Sequence, residues 1–235
     1  MDEFGVNRMQ SGGRTITNST FPDITDYNIL RAKYLELARM SGYGMRLKHP
    51  RHRQAIDVLA NSFPKIQSII DLDTVGNGEF VQMLINGASG LGTKVLGPIP
   101  KVHATYWHYD ANGGALKRIL DHYASKTDVA CFGYSYQDLQ RIPDNSYEVV
   151  LSLNVLDHLV SWDDVAAAFE HMRRIATRGV ICNVDTSTKD SVAWTVRMRW
   201  LQRIGLQRGE WNEFFSKFGA ERFYDGFYVW KREGA

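Results

Sequence analysis

The stretch SIIDLDTVGNGEFVQML, residues 68–84, sets two carboxylates and two nearby glycines around one turn. The apolar run 68–72 reads as a buried strand and 79–87 as a helix, so Asp71, Asp73, Gly76 and Gly78 fall at a strand–turn–helix junction. Such a junction turns backbone N–H groups toward a ligand and commonly cradles one of nucleotide type. A dinucleotide pyrophosphate asks for G-x-G-x-x-G, whose last glycine permits tight helix–strand packing. Here Val81 holds that third position, no Lys or Arg lies in the turn, and Glu79 opens the helix. A carboxylate there is unwelcome to phosphate but compatible with a zwitterionic tail. The turn is read against a nicotinamide or flavin dinucleotide.

The elements that must hold this junction alternate along the chain. After it come a strand in KVHATYWHYD (101–110), a helix GALKRILDHYA (114–124) and a strand DVACFGYS (128–135). The turn PDNSY (143–147) then feeds the strand EVVLSLN (148–154). A helix is expected from about 163 to 176, with Ser161 as N-cap, Asp164 completing a capping-box-like pair and Gly179 as its stop. The strand GVICNVD (179–185) follows. Strands separated by helices predict a parallel sheet with its ligand crevice at the carboxyl ends of the strands. Helical stretches at about 190–204 and 210–218 lead into ERFYDGFYVWKR (221–232), where Asp225-Gly226 marks a hairpin between aromatic strands. That tail carries Phe223, Tyr224, Phe227, Tyr228 and Trp230, read as core packing rather than a dimer surface.

Upstream, residues 1–22 are rich in Gly, Ser, Thr and Asn and read as a mobile arm. Helices in DYNILRAKYLELARM (26–40) and RHRQAIDVLANSF (51–63), the second after a break at Pro50, form a helical cap over 23–64. The core is then 65–235, with a helical insertion at about 190–218. A length of 235 residues suits one such α/β domain, and a net charge of +2 demands no polyanionic partner. Cys131 and Cys182 lie far apart in apolar runs, without metal or redox spacing, and read as small core residues. No apolar run approaches the roughly 18 residues of a membrane span. The N-terminus, with Asp2 and Glu3, lacks the apolar centre of a secretion signal, so a cytoplasmic location is expected.

One run carries a family resemblance. DLQRIPDNSYEVVLSLNVLDHL, residues 138–159, joins an acid, an apolar-Pro pair, a polar turn, an aromatic, an acid and a strand, ending Asn-apolar-apolar-acid-His. With the strand order, this resembles the class I S-adenosylmethionine-dependent methyltransferases over roughly residues 55–232. The resemblance implies a Rossmann-like three-layer sandwich whose mostly parallel seven-stranded sheet ends in an antiparallel hairpin. It also implies S-adenosyl-L-methionine as cofactor. In the family the turn usually reads acid-apolar-Gly-x-Gly-x-Gly; here Asp73 replaces the first glycine and one extra residue precedes Gly76.

The resemblance assigns roles position by position. Asp110, followed by Ala111, takes the place of the acid that accepts from both ribose hydroxyls. Asp138 matches the acid that receives the adenine amino group, with the Leu139 backbone N–H facing the ring. Asn154 lines the crevice beneath the sulfur. Asp71, Asp73 and the backbone around Gly76 and Gly78 meet the amino-acid tail. Methyl transfer needs an acceptor placed in line and, for a hydroxyl or acidic carbon, a base. His158 suits that task by its pKa, with Asp157 and Asp185 as alternative crevice acids. Tyr134, Trp107 and His108 could line the adenine or acceptor pockets, His108 being better read as structural.

Two basic regions bear on the acceptor: RMSGYGMRLKHPRHR (39–53) and the Arg-rich segment 173–208, with Arg197, Arg199 and Arg203 beside Trp194 and Trp200. They read either as solvated helix faces or as a grip on a phosphate- or carboxylate-bearing acceptor. A small, anionic acceptor is the preferred partner, bound in part by Arg197, Arg199 and Tyr134, and no metal is called for. Two alternatives stay open: a methyltransferase-like binding or scaffold protein whose altered turn has impaired cofactor binding, and a nucleic-acid methyltransferase with aromatics stacking on bases.

Overall fold

The computed structural model describes residues 48–72, 79–92, 94–105, 122–123, 127–132, 136–153, 156, 159, 161–184, 208–224 and 226–234. Its main sheet has seven strands: β1 (Ser68–Leu72), β4 (Lys101–Thr105), β5 (Asp128–Phe132), β6 (Tyr147–Leu153), β7 (Ala176–Asn183), β8 (Glu221–Arg222) and β9 (Phe227–Lys231). The short strands β2 (Ala88–Ser89) and β3 (Val95–Leu96) pair separately as an antiparallel ribbon. Strand order in the main sheet is β5-β4-β1-β6-β7-β9-β8. β5, β4, β1, β6 and β7 run parallel, whereas β9 is antiparallel to both β7 and β8. The expected parallel sheet finished by an antiparallel hairpin is therefore present.

Helices α1 (Lys48–Ser62) and α2 (Glu79–Asn86) cover one face of this sheet; α3 (Trp162–Ile175) and α4 (Arg208–Lys217) cover the other. The strands are apolar on both sides because both faces are covered. Ile69, Val149, Leu151 and Ile181 pack with Ile56, Leu59, Phe80 and Leu84. Ile70, Val150, Val180 and Cys182 point the other way, toward Val165, Phe169, Met172 and Trp211. The alternation follows from the two-residue period of a strand. The α3 core residues (Val165, Ala168, Phe169, Met172 and Ile175) fall at i, i+3, i+4, i+7 and i+10, giving one apolar stripe. α4 adds an aromatic knot: Phe215 stacks on Tyr228 at 4.1 Å and Trp211 meets Trp162 edge-on at 4.7 Å.

Three local expectations are revised. Pro50 does not break the chain before α1; the helix begins at Lys48 and takes Pro50 into its first turn, where a missing N–H costs nothing. Gly179 does not stop α3. The helix ends at Ile175, Ala176 turns extended at φ −80° and ψ 134°, and β7 starts at once. The last carbonyls of α3 are met instead by Arg232, whose Nη2 donates to Arg173 O at 2.9 Å and Ala176 O at 2.8 Å. Gly179 lies inside β7, where a Cβ would stand 2.4 Å from Phe63 Cζ and 2.4 Å from the Trp230 carbonyl. Last, the aromatic tail divides: Phe227 and Tyr228 are buried, Arg173 and Arg232 cover the Trp230 ring, and Phe223 is exposed.

Ser161 does cap α3. Its hydroxyl oxygen accepts from the Asp164 N–H at 3.2 Å and its O–H donates to the Asp164 carboxylate at 2.8 Å. Gly226 does turn the hairpin, at φ +73°, and its carbonyl accepts from the Val184 N–H at 2.9 Å and Asn183 Nδ2 at 3.1 Å. The connection 87–100 holds a feature no local pattern announced. Asp57, fully buried on α1, accepts from the backbone N–H groups of Leu91 at 2.9 Å and Gly92 at 2.8 Å, tying the β2–β3 ribbon to the helix. The Tyr224 hydroxyl donates to the same carboxylate at 3.4 Å, and burial, then Asp57, pushes its pKa up. Cys182 is fully buried, and burial alone raises its thiol pKa far above the ordinary range, so it stays an inert thiol. The Cys131 side chain and the proposed arm, the first cap helix and the insertion at about 190–204 lie outside the described residues.

Gly179→Ala should destabilise the fold by roughly 1–3 kcal/mol, because neither the Phe63 ring nor the Trp230 carbonyl can move freely away. A urea midpoint unchanged from the parent would contradict this packing.

Candidate functional site

Parallel strands share a direction, so Leu72, Thr105, Phe132, Leu153 and Asn183, the last residues of β1, β4, β5, β6 and β7, lie along one edge of the sheet. Asp71 sits one residue inside that edge and is 3% exposed, opposite Ala104 of β4 and Leu151 of β6. Three further polar side chains at or next to the edge, Thr105, Ser152 and Asn183, are also buried.

The chain leaves β5 into a single 3-10 helix, Tyr136–Arg141, which carries Asp138 and Leu139. The Leu139 side chain is sunk in the core at 1% exposure, so any ligand contact falls to its main chain. The Asp138 carboxylate is largely covered, at 15% exposure, and lies 3.7 Å from the Arg141 guanidinium.

The turn after this helix is fastened to α3 by one side chain. Arg174 Nη2 donates to the Leu139 carbonyl at 2.8 Å, and Nη1 donates to the Ile142 carbonyl at 2.7 Å and to the Asp144 carboxylate. The Arg174 carbonyl accepts the Asn145 N–H at 3.0 Å, where Asn145 takes the left-handed conformation at φ 56°. Arg174 Nε in turn donates to His171 Nδ1 at 3.4 Å, which requires a neutral imidazole at that atom. Burial, then the Arg174 charge, lowers the His171 pKa.

The other side of the edge is closed by the first turns of α1. Arg51 Nη1 donates to the Asn183 side-chain carbonyl at 3.4 Å, at the end of β7. Next to it, His52 is buried and stacks on Phe80 at 4.8 Å, at the start of α2. Among the described residues of the basic stretch 39–53, Arg51 and His52 approach the end of β7 and the start of α2.

Of the residues expected to form the site, Asp71, Asp138 and Leu139 lie within the described residues, Asp71 one residue inside this edge and the other two on the 3-10 helix. Asp73, Gly76, Gly78, Asp110, Ala111, Asn154, Asp157, His158, Asp185, Tyr134, Arg197 and Arg199 lie outside the described residues, as do Trp107, His108 and Arg203. Sequence reasoning did not single out Arg174, Arg51 or Asn183. Arg174 registered only as one charge in an Arg-rich segment, since its acceptors stand more than 30 residues away.

The comparisons with known proteins agree with this geometry. Residues 86–184 match the model of a family described as a methyltransferase domain. No curated protein matches the chain by sequence. Among solved structures, the chain is similar to one from a complex between a Haloferax volcanii methyltransferase activator and a methyltransferase, with TM-score 0.57, 17% identity and coverage of 83% of this chain and 77% of that one. It is also similar to magnesium protoporphyrin IX methyltransferase from Synechocystis with bound S-adenosylhomocysteine, with TM-score 0.56, 16% identity and coverage of 88% and 100%. A small RNA methyltransferase aligns with TM-score 0.58 and 13% identity over 79% of this chain but only 25% of its own length. The last two are named for different acceptors, magnesium protoporphyrin IX and a small RNA. Residues 86–184 thus match a methyltransferase domain, and the chain shares the Rossmann-like fold of these neighbours. No described helix is long and apolar enough to cross a membrane.

The folded state lowers the His171 pKa, so the unfolded chain binds the extra proton more readily as pH falls. The stabilisation is complete above the ordinary imidazole value of about 6.5 and is lost on acidification below it. The urea midpoint should fall between about pH 7.5 and about pH 5.5, and His171→Gln should flatten part of that slope. Identical slopes in parent and variant would contradict the assignment.

Proposed function

We propose that the chain transfers the methyl group of S-adenosylmethionine to a small anionic acceptor. The observation that supports this is a sheet of order β5-β4-β1-β6-β7-β9-β8, with Asp71 buried near the carboxyl end of β1 and with Asp138 and Leu139 on the 3-10 helix that follows β5 in sequence. The described polar groups suit this cofactor: carboxylates accept from an amino group and an ammonium, as the cofactor's adenine and tail require. Asp71 and Asp73, with the backbone around Gly76 and Gly78, would hold the tail. Asp110, with Ala111 beside it, would take the ribose; Asp138 and Leu139 the adenine; and Asn154 would lie beneath the sulfur.

The cofactor supplies an already activated methyl group, so the protein's work is orientation, exclusion of water and removal of a proton from the acceptor. His158 is the proposed base, with Asp157 and Asp185 as alternatives. The acceptor's negative charge would be met by Arg51 at the rim, which Asn183 holds at the end of β7, and by Arg197 and Arg199, with Tyr134 lining the pocket. A planar guanidinium suits carboxylate or phosphate, which it can grip with two parallel hydrogen bonds.

A second reading, methylation of RNA, is favoured by the similarity to a small RNA methyltransferase. Against it stands a net charge of only +2, which gives little electrostatic footprint for a polyanion.

Calorimetric titration with S-adenosylmethionine and S-adenosylhomocysteine tests the cofactor assignment. Both should bind below millimolar concentration, and Asp110→Ala should weaken binding by roughly tenfold or more, the scale of losing hydrogen bonds to a charged group. No binding by the parent would leave only a methyltransferase-like scaffold. For the acceptor, methyl-labelled cofactor incubated with cell extract should yield labelled small molecules retained on an anion exchanger, with yield falling roughly tenfold in Arg51→Ala. Label found instead in RNA, with binding that weakens steeply with salt, would replace the small-acceptor reading.

A further inference from the structure

We infer that Arg174 is a positioning residue for adenine recognition, acting through the main chain of the 136–145 segment. This rests on the reading that Asp138 and Leu139 face the adenine ring.

Three features of the segment lead there. First, it has little structure of its own: one 3-10 helix of six residues, Tyr136–Arg141, then a turn through Pro143 and Asn145. Such helices have poorer hydrogen-bond geometry than α-helices and hold their shape weakly alone. Second, the Leu139 and Ile142 side chains are both buried at 1%, and both carbonyls accept from Arg174. Within the segment, Leu139 O accepts the Ile142 N–H at 3.1 Å. Third, a single guanidinium serves both carbonyls, at 2.8 and 2.7 Å, and holds Asp144 as well. The carbonyl of the same residue receives the Asn145 N–H.

The apolar anchors fix how deep the segment sits, but they leave rotation of its peptide planes open. The fork removes that freedom, because two carbonyls bound to one rigid plane have a set mutual orientation. Arg174 is itself fixed at both ends. Its backbone belongs to α3, locked in the core by Phe169, Met172 and Ile175, and its Nε meets His171. The direction in which Asp138 and the Leu139 N–H face is thereby coupled to α3 and, through it, to β6 and β7. Arg174 has no part in methyl transfer; it sets the angle at which the adenine edge is read.

The test compares two ligands differing at the atom that Asp138 would read: S-adenosylhomocysteine and S-inosylhomocysteine, whose base carries an oxo group in place of the amino group. The parent should prefer the adenosyl ligand by roughly tenfold or more, as expected for a hydrogen bond to a charged acceptor. Arg174→Ala should reduce that preference to within about threefold, and Arg174→Lys should restore little of it, because a point charge cannot reproduce the fork. In Asp138→Ala the preference is already lost, and adding Arg174→Ala should reduce it no further, the signature of two residues acting as one unit. All measurements are made below the melting temperature of each variant, and Arg174→Lys serves if Arg174→Ala does not fold.

Variants that weaken both ligands equally, or neither, overturn the inference and leave Arg174 a structural residue. A parent that binds both ligands without preference overturns it too, together with the role of Asp138. A parent that binds neither ligand overturns the cofactor assignment itself.

Discussion

The arrangement depends on β1 being paired in parallel on both sides. Ser68–Asp71 register with Lys101–Ala104 of β4, and Ile69–Leu72 with Val149–Ser152 of β6. Parallel neighbours cannot be joined by a tight turn, so the chain must cross over a face between strands, and helices cover both faces. Two results follow. The strands become apolar throughout, and every strand of the parallel part delivers its carboxyl end to the same edge. A carboxylate buried within a strand, such as Asp71, sits near that edge, where polar groups can reach it. The position of the site is thus a consequence of the pairing.

Guanidinium groups then finish what the strands and helices leave open. Arg174 takes the carbonyls of the turn before β6, Arg232 those at the end of α3, and Arg178 joins Glu148 of β6 to the Pro64 carbonyl before β1. The Arg174 and Arg232 contacts are part-buried, where an unmet acceptor costs about 1–3 kcal/mol, whereas the Arg178 contact to Pro64 is exposed. Arg is suited to this because its planar fork serves two acceptors at once. The basic residues of the segment 173–178 are therefore structural in large part, whereas Arg51 approaches the end of β7.

Much of this was legible in the sequence, for physical reasons that can be named. The strand 68–72 was readable because a run buried on both faces is continuously apolar, and Ser161 because an N-cap is a local hydrogen bond. The hairpin was readable because only certain residues tolerate the backbone at Gly226. Asp138 and Leu139 came from a long, ordered motif. Gly179 was misread because a glycine shortly after a helix looks the same whether it ends that helix or makes room for Phe63 inside the next strand. The roles of Asp57 and Arg174 were not legible, since the main-chain groups they bind lie more than 30 residues away along the chain. Roles that depend on distant main-chain groups do not show in local spacing.

The central claim is that a nucleoside cofactor sits on the carboxyl edge, between the end of β1 and the turn that carries Asp138 and Leu139. Hydrogen–deuterium exchange with and without S-adenosylhomocysteine reads that location directly. The account predicts slower exchange in the segments 69–72 and 136–145 on adding the ligand, with the β8–β9 hairpin unchanged. Exchange that stays the same in both of those segments, or that slows only at the hairpin, would contradict it.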